Sequence, residues 1–202
     1  MLIDLHPKNP EIRTLREISE KLKAGAVYIF PTDTVYAMIA DPVSKTGVEK
    51  LYFLKEIPKN KPLSLLCYDI SQVSNYVEYV PNTAYRLMKR ITPGPFTFIL
   101  KASKTLSKYN YSHTKNKSIG VRICDHIFIR TLLEIHGTAL VSTSVFRDDE
   151  YIIDPKDLED HFGKRCDGIV DDGIKTLEFS TIVDFTSDEM EIVREGKGFD
   201  LI

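Results

Sequence analysis

Ala24-Gly25-Ala26-Val27-Tyr28-Ile29-Phe30-Pro31-Thr32-Asp33-Thr34-Val35-Tyr36 is an apolar strand that runs into a turn of two hydroxyls and a carboxylate. Pro31 has no N–H, so ladder pairing stops there. Thr32, Asp33 and Thr34 then offer oxygens and backbone donors at a strand end, which is where ligands sit in α/β sheets. An ordinary Pro-Thr-Asp turn capping the next segment is the simpler reading of these residues taken alone.

Upstream, Asn9-Pro10-Glu11 reads as an N-cap, a first-turn proline and an acid at the positive helix end, followed by Ile12, Leu15, Ile18 and Leu22 at helical spacing. Downstream, Ser44 to Lys55 predicts a second helix with Val48, Leu51 and Tyr52 on one stripe. Lys55, seven residues after Val48, continues that stripe and turns its ammonium toward the protein body, either to an anionic partner or as a snorkelling lysine at a helix end. Strands are expected at Leu63 to Cys67, Phe96 to Lys101, Ile119 to Cys124 and Ala139 to Val145, with a closing hairpin from Ser180 to Thr186 and Glu191 to Glu195. Helices open at Asp69, Asn82, Asp125 and Asp154-Pro155, and Thr92-Pro93-Gly94-Pro95 breaks the chain. The order is β-α-β with an antiparallel end, so the sheet should be mixed.

The 202 residues carry 43% hydrophobic and 28% charged side chains, enough for a sizeable core and most simply one domain over 1–202. A net charge of -2 excludes binding of nucleic acid by bulk positive charge and requires any anion site to be built locally. Three scattered cysteines, Cys67, Cys124 and Cys166, point to a reducing compartment, and no apolar run suggests a membrane span; the expected location is the cytoplasm.

Strand alternation puts Ser118, Gly120 and Arg122 on one face, where a guanidinium beside a residue without a side chain suits a fork-like grip on a carboxylate or phosphate. A structural ion pair is the competing reading. Ser142 and Ser144 alternate likewise, Ser180 and Asp184 share a strand face, and Arg194 follows Val193. The phosphate-loop, dinucleotide and nucleophile-elbow patterns are missing, and the five histidines have no metal-ligand spacing. The Lys104 to Lys117 loop interleaves Tyr109, Tyr111 and His113 with lysines, which fits either RNA contact or a solvated loop.

Taken in order, Phe30-Pro31-Thr32-Asp33-Thr34-Val35-Tyr36, Lys55, Lys61-Pro62-Leu63, Thr92-Pro93-Gly94-Pro95-Phe96-Thr97, Gly120-Val121-Arg122, Ser142-Thr143-Ser144, Ser180-Thr181-Ile182-Val183-Asp184 and Arg194-Glu195-Gly196 resemble the YrdC-like family. Its well-known members are threonylcarbamoyl-AMP synthases of tRNA modification. The resemblance implies an α/β fold: a twisted mixed parallel and antiparallel sheet with flanking helices around a concave basic cavity. It implies a reaction of L-threonine, bicarbonate and ATP that yields threonylcarbamoyl-AMP and pyrophosphate, with Mg2+ accompanying ATP. By the same analogy Thr34, Arg122 and Ser180 bind threonine. Lys55, Ser118, Ser144 and Arg194 lie along the nucleotide, with Lys55 also catalytic, and no metal is held by the protein. The synthases carry arginine where this chain has Ile57, asparagine at Phe146 and glycine at Ala37, replacements similar to those of the YciO branch. Two other expectations stand beside the enzyme: a non-catalytic module for tRNA or double-stranded RNA, and a nucleotide-binding regulator.

Overall fold

The computed structural model describes residues 1–59, 61–104, 106, 117–147, 150–187 and 189–202. Helix α1 (Ile12–Lys23) follows a short strand β1 (Leu2–Asp4) and buries Leu15, Ile18, Ser19 and Leu22. Its N-cap is Glu11 and not Asn9: Glu11 has no side-chain cap bond, and its carboxylate instead accepts the His6 N–H at 3.1 Å. Strands β2 (Tyr28–Phe30) and β3 (Ala37–Ala40) flank the Pro31–Tyr36 turn, and α2 (Lys45–Lys55) starts where the Ser44 hydroxyl accepts the Gly47 N–H. Then come β4 (Ser64–Leu66), α3 (Ile70–Val73), α4 (Asn82–Ile91), β5 (Phe96–Lys101) and β6 (Ser118–Arg122). Helix α5 (Ile127–His136) begins two residues later than the sequence suggests, capped by His126, because the Asp125 N–H is taken by Asp33. Strand β7 (Leu140–Ser144), the hairpin β8 (Phe146–Arg147) with β9 (Glu150–Tyr151), helix α6 (Pro155–Phe162), β10 (Gly168–Asp171), β11 (Thr181–Asp184) and β12 (Glu191–Arg194) complete the chain.

Ten strands make one sheet in the order β1-β10-β2-β3-β7-β4-β6-β5-β11-β12, with β8 and β9 paired separately. It is mixed, as expected: β10 with β2, β4 with β6 and β11 with β5 run parallel, whereas β2 with β3, β3 with β7 and β5 with β6 run antiparallel. One face carries α2, α4 and α6 through Val48, Leu51, Met88, Leu158 and Phe162, all nearly inaccessible. On the other face α1 and α5 cover only the half built from β10, β2, β3 and the neighbouring ends, through Leu15, Leu22, Phe128 and Leu132. Across β7, β4 and β6 that second face continues as Ser142, Ser64 and Gly120, which stand side by side in register. Small polar side chains give a helix nothing to bury, and among the described residues no helix covers this half of the sheet.

The connection from β10 to β11 crosses that uncovered half. In a flat sheet seven strand spacings of about 4.8 Å, with an offset of about six residues along the strands, would put Asp171 and Thr181 about 39 Å apart, more than the nine connecting residues 172–180 reach at about 3.3 Å each, so the sheet curls toward this strap. The Tyr36 hydroxyl fastens it by donating to the Gly173 carbonyl at 2.8 Å and accepting the Asp172 N–H at 3.0 Å. His126 adds a second tie: its Nδ1 accepts the Phe128 N–H, so the neutral ring carries its proton on Nε2, 3.1 Å from Asp172 Oδ2. Replacing Tyr36 by Phe removes two strap bonds and should cost about 1–2 kcal/mol in urea denaturation, with faster amide exchange at Asp172. Unchanged stability and exchange would show that the strap is held by other contacts.

Candidate functional site

The Pro31–Val35 turn folds back over the sheet. Phe30 is in register with Ala37 and Ala37 with Ser144, at the opposite end of the sheet from Arg122, yet Asp33 reaches the residues just beyond β6. Its Oδ1 pairs with Arg122 Nη2 and accepts the Cys124 thiol at 3.0 Å, and its Oδ2 accepts the Asp125 N–H at 3.0 Å. Burial by itself would raise the Asp33 pKa; the Arg122 charge and the Cys124 and Asp125 donors outweigh it and hold the carboxyl below its ordinary range. Burial dominates at Cys124 and pushes the thiol up, so it stays a neutral donor.

Proton accounting fixes the rest of the turn. Thr32 Oγ1 donates to the Val35 carbonyl at 2.6 Å and accepts the Thr34 N–H at 3.1 Å. Its 3.0 Å contact with Thr34 Oγ1 therefore has Thr34 as the donor, while Thr34 Oγ1 accepts Arg122 Nη2 at 3.0 Å. What Thr34 still offers a ligand is a lone pair. Arg122 is 9% exposed, and its buried Nε has no partner, an unspent donor on a guanidinium already oriented at Nη2.

A second cluster lies on the same uncovered face. Arg194 donates through Nε and Nη2 to the Ser180 carbonyl at 3.0 and 2.8 Å, and through Nη2 to Ser180 Oγ at 3.0 Å. Ser180 Oγ also meets Thr97 Oγ1 at 3.0 Å. Burial lowers the Arg194 pKa, and the Arg122 charge adds to that lowering against an opposing effect of Tyr151, which places the two guanidiniums within electrostatic reach of each other. Gly120 sits between the clusters: a Cβ there would stand 2.9 Å from Ser64 Oγ and 3.4 Å from Thr97 Cγ2.

Lys55 ends α2 almost fully buried, as its stripe suggests, but it meets no anion among the described residues. Its Nζ donates to the Ser144 carbonyl at 2.5 Å and stands 3.7 Å from the centroid of the Phe146 ring. Burial, followed by the Lys61 charge, brings its pKa down to about 7. It lines a cavity of about 200 Å3 with Leu54, Glu56, Phe146, Arg147, Phe162 and Arg165, none of which belongs to the Arg122 or Arg194 cluster.

Thr34 with Arg122, Ser180 with Arg194, and Lys55 with Ser144 are therefore brought together in pairs. Ser118 shares the face of Arg122 but stands at the other end of β6, about 13 Å away along the strand. Ile57 packs against the core and supplies no cation beside Lys55. Asp33, which the sequence offers to a ligand with Thr32 and Thr34, instead spends both oxygens on Arg122, Cys124 and Asp125; Cys124 and Tyr151 were given no site role by sequence, and Phe146 was noted only as the replacement for an asparagine. The Tyr109, Tyr111 and His113 loop lies outside the described residues. Among the described residues no three His, Cys, Asp or Glu gather as a metal site, and no helix is long and apolar enough to cross a membrane.

A family model for Sua5, YciO and YrdC proteins, described as telomere recombination, matches residues 20–196. The YciO protein of Escherichia coli strain K12, named as uncharacterized, is 34% identical over 96% of this chain and 94% of its own length. A threonylcarbamoyl-AMP synthase of Vibrio vulnificus is 29% identical over 66% of this chain and 72% of its own. The crystal structure of E. coli YciO superposes with a TM-score of 0.90 at 33% identity, covering 98% of this chain and 96% of that one. P. abyssi Sua5 complexed with L-threonine gives a TM-score of 0.87 at 22% identity, covering 97% of this chain and 57% of that one; at that identity the likeness is one of fold.

Asp33 binds its proton more weakly in the fold than in the unfolded chain, where the ordinary value is 3.8. Its stabilisation is thus present above about pH 4 and disappears as the pH falls through the folded value. Asp33→Asn should cost about 3 kcal/mol at neutral pH, because Arg122 is left buried beside an uncharged amide, and should flatten the stability loss below about pH 4. Urea titrations across that range check both, and parallel curves for parent and variant would refute the assignment.

Proposed function

Because this chain belongs to the Sua5/YciO/YrdC family, we propose that it binds L-threonine at Arg122 and activates the N-carboxylated amino acid as an adenylate. The observation that carries this reading is the buried, unpartnered Nε of an arginine already fixed by Asp33 and Thr34. A carboxylate satisfies that donor, and the remaining Thr34 lone pair suits an N–H of the same ligand. Ser180 stands beside the second guanidinium, where the bound amino acid and the nucleotide would meet.

In the reaction, a carbamate oxygen of N-carboxythreonine forms a bond to the α-phosphorus of ATP. The bond from that phosphorus to the bridging oxygen breaks, and pyrophosphate leaves with the electron pair. Positioning and charge neutralisation supply the acceleration, because phosphoryl transfer asks little covalent chemistry of the protein. Arg194, Lys55, Ser144 and Ser118 are assigned to the nucleotide, with Lys55 nearest the transferred charge. Mg2+ bound with ATP would neutralise charge on the triphosphate. The reaction should be slow, since Ile57 supplies no cation and Lys55 faces a carbonyl and a ring.

Pyrophosphate release from ATP should require both L-threonine and bicarbonate. Arg122→Lys, which keeps a cation for Asp33 but has no Nε, should reduce the threonine-dependent rate by about a hundredfold, the cost of losing one preorganised donor, while leaving a folded protein by circular dichroism. No release above a control without threonine would remove the reading. An unchanged rate in the variant would remove Arg122 from it.

A further inference from the structure

Lys55 and Arg194 are the two ends of one continuous stack. The Lys55 ammonium lies 3.7 Å from the Phe146 centroid, Phe146 lies 5.7 Å from Tyr151, Tyr151 lies 4.3 Å from Phe179, and the Arg194 guanidinium lies 5.5 Å from Phe179. Each of the three rings thus has a neighbour on two sides, and the spacing leaves no slot for a further ring. Phe146 and Tyr151 come from the β8–β9 hairpin, which leaves the sheet directly after Ser144, and Phe179 comes from the end of the strap. The hairpin is anchored at its base: Val145 N–H donates to the Tyr36 carbonyl at 2.9 Å and Ile152 N–H to the Val145 carbonyl at 3.3 Å.

We propose that Phe146 and Tyr151 determine what the site accepts: their rings screen Lys55 from a polyphosphate, so a small carboxylate ligand enters at Arg122 while a nucleotide must displace the Phe146 ring to reach Lys55. The ligand classes rest on the function proposed above; the screening rests on the stack alone. Two features make these rings the part that yields. The strands that carry them contribute only two residues each, whereas Lys55 is fixed by α2 and Arg194 by three bonds to Ser180. The aromatic and cation–π contacts are also worth little each, so the expected effect of opening is about tenfold in nucleotide affinity.

The test combines calorimetry with acetylation of lysines by acetic anhydride, read by mass spectrometry, on the parent, Phe146→Ala and Tyr151→Leu. An accessible amine with the low pKa of Lys55 would acetylate faster than an ordinary lysine, so slow labelling reports screening. In the parent, Lys55 should label well behind the exposed Lys164. Either variant should unmask Lys55 and tighten ATP binding about tenfold, with L-threonine affinity unchanged. Equal labelling of Lys55 and Lys164 in the parent overturns the proposal; so does a folded variant whose Lys55 stays masked or whose ATP affinity stays the same. Should L-threonine not bind at all while Lys55 unmasks and ATP binding tightens, the proposed amino-acid substrate falls and the screening stands.

Discussion

The buried pair of Arg122 and Asp33 is the constraint on which the arrangement depends. A guanidinium 9% exposed on a sheet face has lost most of its water, and Coulomb attraction to a single carboxylate barely offsets that loss unless the remaining donors and acceptors are satisfied. Here Asp33 is satisfied on both oxygens by Cys124 and Asp125, and Arg122 gains Thr34 as well. The pair thereby folds the Pro31–Val35 turn over the sheet, delays the start of α5, and sets the Thr34 hydroxyl in one orientation. Removing the carboxylate would disturb all three at once.

The second constraint is negative: half of one sheet face has no helix. Ser142, Ser64 and Gly120 in register cannot bury enough apolar area to hold one, and the chain spends its two helices for that side on the opposite half. The strap crosses the vacant half, and its short length curls the sheet. The curl here follows from a connection too short for a flat sheet, beside side chains too small and polar to hold a helix.

Local periodicity made α1, α2, β5 and β6 legible, because each has one buried and one different face over enough residues to show a period. Strand β3 was not legible: Ala37, Met38, Ile39 and Ala40 are buried on both faces, so no alternation exists to be read. Strand β10 and the two-residue strands β8 and β9 were missed for the same lack of pattern or for brevity. At the site, Thr34, Arg122 and Ser180 could be chosen from motif order, and Lys55 from its stripe. The bond between Asp33 and Cys124 joins residues 91 apart, and the aromatic stack draws on two separate segments, so neither leaves a trace in spacing.

Lys55 shows why a side chain's direction does not settle its chemistry. Its stripe correctly turns the amine inward, where an anion would ordinarily be required, yet the carbonyl of Ser144 and the face of Phe146 stand there in its place. Both favour an ammonium weakly, and neither matches the lost hydration, so the pKa falls to about 7 and near neutral pH the proton is held only loosely. An approaching phosphate would reverse that balance by supplying the missing negative charge. The amine is therefore poised to gain both a proton and a partner from an anionic ligand, and the ring that covers it decides when that ligand is met.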